Sequence, residues 1–204
     1  RAVWLISLHL KKGEFSPHGH EVIFGKDGDY PPITINLPSG KVLNLVGRID
    51  RVDTMEDEEG IYVRVVDYKS GSKDFNLSDV YNGLELQLLI YLDAILEHYN
   101  KNGTKNAIPG GILYFNIDDP IIRAGGEMDE EVVEKEITKR LKMKGLLLSE
   151  VKVVKAMDRD INGYSIIIPA MLKIDGNLGT NSSVAGKEDF DSLRRHVRNT
   201  IIRL

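Results

Sequence analysis

Alternating apolar and polar positions near the middle of the chain predict a β-hairpin. Residues 46–52 and 61–68 are rich in β-branched and aromatic side chains, and an acidic connector that ends at Gly60 separates them. Two such segments on either side of a glycine-containing loop are typical of paired antiparallel strands. If the arms pair symmetrically about the connector, Val52 faces Val65 across the hairpin.

The same register brings charged side chains together. It places Asp50 opposite Asp67, and Lys69 lies two residues beyond Asp67 on the same face of its strand. Like charges directly opposite each other are destabilising unless a positive charge lies between them. Two carboxylates suit Mg²⁺, which is typically held by one or two carboxylates together with water and substrate phosphate. Lys69 is then placed to activate a metal-bound water or to stabilise developing charge. The alternative is that all three are ordinary solvated strand residues.

Helical periodicity follows the hairpin. From Ser78 to Tyr99, apolar residues recur at helical spacing and predict one long helix, in which Gln87 and Tyr91 lie one turn apart on the same face. On the residues alone, Gln87 is better explained as a helix-surface residue, or as a core residue with a backbone partner, than as a site residue.

Further elements are predicted on both sides of this central region. Helices are expected at residues 1–12, 129–141 and 187–203, and strands at residues 20–25, 110–117 and once or twice between 145 and 174. The first helix is expected to turn Val3, Ile6 and Leu10 inward. Asp118 and Asp119 are interpreted as turn formers. The arginines beside the apolar stripe of the last helix are Arg194, Arg195 and Arg198, which either favour the C-terminal half of the helix or neutralise phosphates.

Composition narrows the class of protein. The 204 residues are 42% hydrophobic and 28% charged, as in an ordinary globular protein, and the length predicts a single α/β domain over residues 1–204. A net charge of -4 gives no global electrostatic case for nucleic acid but leaves a local one open. There is no cysteine, which excludes a disulfide, a Cys-ligated zinc and a Cys-ligated iron–sulfur cluster within the chain.

Location and completeness are also predicted from the sequence. No apolar run reaches the roughly 18 residues of a membrane span, and no signal peptide opens the sequence, so a cytoplasmic location is expected. The first residue is Arg1 rather than Met, which indicates a piece of a larger protein.

Three motifs occur in order along the chain. They are G-R-I-D at residues 47–50, D-Y-K at residues 67–69 and Q-L-L-I-Y at residues 87–91. Together they resemble the RecB-type branch of the PD-(D/E)XK nucleases. From about Glu21 onward, the surrounding sequence also resembles the C-terminal nuclease domain of the AddB/RexB family, which belongs to bacterial ATP-dependent helicase-nucleases.

The resemblance implies a restriction-endonuclease-like α/β fold, with a mixed central sheet flanked by helices. It also implies metal-dependent cleavage of DNA, exonucleolytic and acting on single strands. Asp50, Asp67 and the backbone carbonyl of Tyr68 would hold Mg²⁺, with Mn²⁺ as a second choice. Lys69 would act in catalysis, and Gln87 would orient Lys69, the attacking water or the substrate phosphate.

The family also implies contacts and partners. DNA would meet Tyr91 and the three arginines of the last helix. A partner subunit of the AddA type would supply single strands from an unwinding duplex during repair of double-strand breaks by recombination. An iron–sulfur cluster, if the full-length protein has one, would take its cysteines from outside this chain. A histidine that often joins the metal site in this family is expected upstream of Arg1, and His9, His18 and His20 are interpreted as surface or packing residues.

Two other functions stay open. One is a module that keeps the fold and binds nucleic acid without cutting it. The other is a metal-dependent phosphoesterase that acts on a small substrate.

Overall fold

The computed structural model describes residues 2–71, 73–103, 105–117, 122 and 129–203. Within these residues the helices are α1 (Ala2–Lys12), α2 (Leu77–Tyr81), α3 (Gln87–Asn102), α4 (Glu130–Leu141), α5 (Val151–Met157) and α6 (Lys187–Arg203). The strands are β1 (Ser16–Phe24), β2 (Ile33–Asn36), β3 (Val42–Leu45), β4 (Gly47–Glu56), β5 (Ile61–Lys69), β6 (Ala107–Asn116), β7 (Lys144–Leu148), β8 (Gly163–Tyr164), β9 (Met171–Leu172) and β10 (Val184–Ala185). The predicted turn at Asp118 and Asp119 lies outside the described residues.

A mixed sheet organises these elements. Its strand order is β1-β4-β5-β6-β7-β10. The β4–β5 hairpin is antiparallel, whereas β5 and β6 are parallel and are joined through α2 and α3. All ten residues of β6 are buried, which is typical of a strand covered on both faces. The hairpin that carries the acidic residues is therefore held between a partner strand on each side.

The hairpin has the predicted register, since Val52 pairs with Val65 and Asp53 with Arg64. Its strands are longer than expected, because pairing continues to Glu56 and Ile61 and only residues 57–60 form the connection. Gly60 closes that connection with φ +154°, and a Cβ there would lie 2.2 Å from the carbonyl oxygen of Asn106. Glycine is thus required by the close approach of the next strand.

The helices cover both faces of the sheet. α3 packs over β5 and β6 on the face that carries Val65, and α6 packs against both α3 and β6. On the opposite face, Arg64 contacts His9 of α1, and Gly111 of β6 lies under Met157 of α5. The sheet is therefore buried on both sides, and polar side chains that reach either face need partners within the protein.

The predicted helix from Ser78 to Tyr99 is wrong in one respect, because it is two helices. α2 is followed by Asn82 and then Gly83, whose φ is +78°, and the N–H groups of Gly83 and Leu84 donate to the carbonyls of Val80 and Asp79. These two bonds form a Schellman motif, which ends a helix at a left-handed glycine. Leu84, predicted as part of the apolar face, is 74% exposed as a result.

Two other predictions from periodicity need correction. In α1, Leu5 and His9 are buried, while Val3 is 78% exposed and Leu10 is 39% exposed. The inward face is displaced from the predicted one because Arg64 provides a buried partner for a polar histidine. Of the region between residues 145 and 174, for which one or two strands are predicted, the apolar run at residues 151–154 begins α5.

Candidate active site

Asp50 and Asp67 meet where the two strands of the hairpin separate. Backbone pairing between β4 and β5 ends at Arg51 and Val66. Beyond that point, a side chain takes the place of a backbone carbonyl as the acceptor. The carboxylate of Asp50 accepts a hydrogen bond from the N–H of Tyr68 at 2.8 Å. Because side chains alternate along a strand, continuation of the register places Asp50 and Asp67 on the same face, the face covered by α3. The charge of Asp50 acts on Asp67 and raises its pKa, which agrees with two carboxylates near each other at the open end of the hairpin.

Asp67 is the more buried of the two acids. Its side chain is 4% exposed, and its Oδ2 atom is buried without a hydrogen bond of good geometry. Burial raises the pKa of Asp67, Lys69 opposes that shift, and the charge of Asp50 adds to it. A carboxylate of this kind is under-compensated, so a cation that binds beside it would lower its free energy.

Lys69 connects Asp67 to α3. Its Nζ lies 2.6 Å from Asp67 Oδ2 and donates to Gln87 Oε1 at 3.2 Å. The amide of Gln87 in turn donates to the hydroxyl of Tyr91 at 2.7 Å, and the Tyr91 ring packs edge-on against Phe24. The period of β5 and one turn of α3 therefore produce a continuous chain of polar contacts. Tyr91 is only 9% exposed, which favours the role of holding Gln87 in place.

The position of Gln87 differs from the sequence interpretation. It is the first residue of α3 rather than a residue within a long helix. The break at Gly83 allows α3 to begin beside the end of β5, and the side chain of Gln87 is exposed next to Lys69. The helix break, signalled in the sequence by Asn82-Gly83, is thus part of how the site is assembled.

Sequence reasoning missed a second charged pair beside the first. Lys73 forms an ion pair with Glu85, and the carboxylate of Glu85 is nearly buried with Oε2 lacking a hydrogen bond. Tyr114 of β6 lies between the pairs, with its ring centre 5.4 Å from Lys69 Nζ and 5.9 Å from Lys73 Nζ. Burial raises the pKa of Tyr114, and the nearby carboxylates of Glu85 and Asp67 act in the same direction. No short-range sequence pattern links Lys73 to Glu85.

The donor set fits one hard divalent cation. Mg²⁺ keeps several waters and needs only one or two protein carboxylates with substrate phosphate, and Asp50 and Asp67 provide that number. In a strand, the N–H and C=O of one residue point to the same side, so the Tyr68 carbonyl is directed, like its N–H, toward Asp50. The buried Oδ2 of Asp67 lies 2.6 Å from Lys69 Nζ but lacks a well-aligned hydrogen bond, which leaves it available to a second cation. Among the described residues, no group of three His, Cys, Asp or Glu side chains is close enough to hold a metal.

None of the three N-terminal histidines is part of this group. His9 is buried on the opposite face of the sheet, with Nε2 2.7 Å from Arg64 Nη1. Burial and the adjacent arginine lower the pKa of His9, which favours the neutral ring. His18 is hydrogen-bonded to Tyr99, and His20 is exposed.

The three arginines of α6 differ in their partners. Arg194 and Arg198 both donate to Asp93, a buried residue of α3, at distances of 2.6–2.8 Å. Arg195 donates to the hydroxyl of Ser192 and is exposed. The geometry therefore explains Arg194 and Arg198 as ties between α6 and α3, and Arg195 is the one of the three directed toward solvent.

In the part of the chain that the structure describes, no helix has the length and apolar character needed to span a membrane.

The fold and these side chains agree with a match over the whole sequence. Residues 1–204 match the family model described as the PD-(D/E)XK nuclease superfamily. The chain belongs to that superfamily, and the predicted fold class, a mixed sheet flanked by helices, is confirmed.

More specific similarity is found to proteins described as the B component of an ATP-dependent helicase/deoxyribonuclease. The chain is 54% identical over 201 residues to the protein from Acetivibrio thermocellus, 52% over 200 residues to that from Thermoanaerobacter sp. and 51% over 205 residues to that from Clostridium botulinum. The alignments cover 98–100% of this chain but only 17–18% of each relative. The resemblance to the AddB type of protein, inferred from the motifs, is confirmed.

Proposed function

We propose that this chain is the nuclease domain of a longer helicase-nuclease subunit and that it hydrolyses DNA phosphodiester bonds with the help of Mg²⁺, or of Mn²⁺ in its place. The observation that carries the proposal is the convergence of Asp50, Asp67, Lys69 and Gln87 at the open end of the hairpin. Membership of the nuclease superfamily supports the reaction class.

Each residue of the group has a role that follows from its contacts. Asp50, Asp67 and the Tyr68 carbonyl would hold the cation, which supplies a Lewis acid and lowers the pKa of a bound water. Lys69 places positive charge where the phosphoryl oxygens gain negative charge during attack by water. Gln87 accepts from Lys69 and restricts the position of its ammonium. Fixed donors of this kind need little rearrangement as charge develops.

The wider setting is proposed from the names of the relatives. The whole protein would work with a helicase-nuclease partner subunit of the AddA type in the cytoplasm, receive single strands from an unwinding duplex, cut them exonucleolytically and serve recombinational repair of double-strand breaks. Arg195 would contact the DNA backbone, with Arg194, Arg198 and Tyr91 contributing where their existing partners allow. Any iron–sulfur cluster would be held outside residues 1–204, since this sequence has no cysteine.

The test is incubation of the chain with end-labelled single-stranded DNA and Mg²⁺, beside Asp67→Ala and Lys69→Ala. Lys105→Met serves as a control, because Lys105 pairs with Glu56 at the far end of the hairpin. Wild type and the control should cut, and both site variants should lose at least a hundredfold in rate, the scale on which one electrostatic contact to a transition state contributes.

Two outcomes would replace the proposal with another function. DNA binding without cleavage in every sample would indicate a silent binding module. Intact DNA together with hydrolysis of mononucleotide phosphates would indicate a small-substrate phosphoesterase.

A further inference from the structure

Lys73 is held beside the active site by contacts that extend well beyond its ion pair. Its backbone N–H donates to Asn116 Oδ1 at 3.2 Å, and Asn116 Nδ2 donates back to its carbonyl at 3.4 Å. Asn116 is the last residue of β6, is 5% exposed and pairs in register with Lys69. The side-chain amide of Asn116 thus bonds both backbone groups of Lys73, as a neighbouring strand would. These bonds fix the backbone of Lys73 next to the end of β5.

The segment after β5 is fixed at a second point. Asp74 forms an ion pair with Lys144 of β7 at 2.5 Å, so the residue that follows Lys73 is tied to the same sheet. The ammonium of Lys73 then reaches Glu85, whose side chain is 7% exposed. Ordering a lysine side chain costs conformational entropy, so a lysine on a surface loop ordinarily stays mobile. Lys73 is instead restricted at its backbone, at the following residue and at its ammonium group.

Lys69 and Lys73 make similar contacts around the ring of Tyr114. Lys69 contacts Gln87 and Lys73 contacts Glu85, and these two acceptors are separated by a single residue at the start of α3. Both ammonium groups lie within 5.9 Å of the centre of the Tyr114 ring. Lys73 is therefore part of the same surface as Lys69, with a side chain that is 40% exposed and accessible to a ligand.

The charge of the site supports a phosphate as that ligand. Three carboxylates, Asp50, Asp67 and Glu85, face two ammonium groups, so the protein alone leaves the site negative by one charge. A bound divalent cation would make it positive by one, whereas without Lys73 it would be neutral and would attract a phosphodiester less strongly. An ammonium has three donors, and the contact with Glu85 leaves donors for phosphate oxygens.

We propose that Lys73 is a second phosphate-binding cation of this active site and that Glu85 is the positioning residue that holds its ammonium beside the DNA strand. This inference rests on the proposed function, since it assigns the backbone of the strand to be cut as the ligand. Lys69 would act at the phosphate that reacts, and Lys73 would bind an adjacent phosphate of the same strand.

The test is binding of a fluorescent oligodeoxythymidine by the 204-residue chain at a fixed concentration of Ca²⁺ in place of Mg²⁺, measured by anisotropy over a series of KCl concentrations. Lys73→Met keeps the apolar stem and removes the charge, and it is expected to reduce the slope of log affinity against log salt by about 0.7, the contribution of one phosphate contact on a single strand. Lys73→Arg should retain the wild-type slope.

Lys105→Met is the matched control. Lys105 is 45% exposed and paired with a glutamate, as Lys73 is, but it lies near the Ile61 end of the hairpin, roughly 26 Å from Lys69 at about 3.3 Å per strand residue. Its slope should equal that of the wild type. Thermal melting of each variant in the same buffer establishes that the binding data come from folded protein.

Glu85→Gln gives a second, independent measurement. It retains Lys73 but removes the carboxylate that holds it, so the salt slope should stay at the wild-type value while kcat for cleavage falls about tenfold and KM changes less than about twofold. A purely structural ion pair would lower the melting temperature without this separation of kcat from KM.

The possible failures are distinguishable. If the wild type binds and cuts DNA but Lys73→Met keeps the full salt slope, the assignment of Lys73 is wrong and the proposed function stands. If the wild type neither binds nor cuts DNA, the proposed function fails, and the role of Lys73 fails with it.

Discussion

Replacement of Asp53 by asparagine is expected to destabilise the hairpin strongly. Asp53 is fully buried and accepts hydrogen bonds from Arg51 at 2.6 Å and 2.8 Å and from Arg64 at 3.1 Å. Both arginines are 1% exposed. Asp53→Asn has nearly the same shape, but it removes the only carboxylate in contact with these guanidinium groups among the described ion pairs, and it introduces an amide donor where donors already converge.

The magnitude follows from the cost of buried, uncompensated charge. Removal of one partner from a buried ion pair typically costs about 3–5 kcal/mol. For a chain of this length, each kcal/mol corresponds to roughly 2–4 °C in melting temperature, so Asp53→Asn should melt about 6–20 °C below the wild type. Thermal unfolding followed by circular dichroism, with urea titration as a second measure, provides the assay.

Asp67→Asn on the same hairpin is the matched comparison. Burial raises the pKa of Asp67, which means that the fold favours its neutral form. A carboxyl with a raised pKa adds stability below that pKa and loses it as the pH rises through it. Near neutral pH and without metal, Asp67→Asn should therefore be as stable as the wild type or more stable. A loss below about 1 kcal/mol for Asp53→Asn, or a large loss for Asp67→Asn, would refute the reasoning.

Two other predictions concern stability. In urea titration, the free energy of unfolding of Asp93→Ala should be about 2–4 kcal/mol below that of the wild type, because two arginines of α6 lose their shared carboxylate. Arg195→Ala should be as stable as the wild type. Equal stability of the two variants would contradict the packing role of Asp93. Burial and the charge of Arg64 lower the pKa of His9, so below about pH 6.5 the unfolded chain binds more protons than the folded one, and stability should fall on acidification by up to about 1.4 kcal/mol per pH unit. His9→Gln should flatten that dependence, with exposed His20→Gln as control; parallel pH profiles for His9→Gln and the wild type would refute it.

Local periodicity was sufficient to predict the register of the hairpin that carries the candidate site. The alternation of side chains in β4 and β5 fixes which residues share a face, and symmetry about the connector fixes the pairing of Val52 with Val65. Because register and face follow from the strand pattern alone, the closeness of Asp50 and Asp67 needs no information from distant parts of the chain.

The parts that the sequence did not predict depend on tertiary partners. Asp93 is one polar residue among the apolar residues of α3, and only the packing of α6 shows that it meets Arg194 and Arg198. Likewise, sequence periodicity predicts one helix that runs through Gly83. Lys73 lies before that predicted helix and Glu85 lies within it, so no local pattern indicates that the two residues form an ion pair. Once α2 and α3 are separate helices, the start of α3 can approach the end of β5.

The most direct test of the central claim is the effect of Mg²⁺ on the melting temperature of the wild type, Asp50→Asn and Asp67→Asn. A ligand at about 100 times its Kd stabilises the folded state by about 2.7 kcal/mol, which corresponds to roughly 5–11 °C here. The melting temperature of the wild type should rise by this amount, and that of both variants should not. An equal rise in all three proteins would show that the cation binds elsewhere and would contradict a metal site between Asp50 and Asp67.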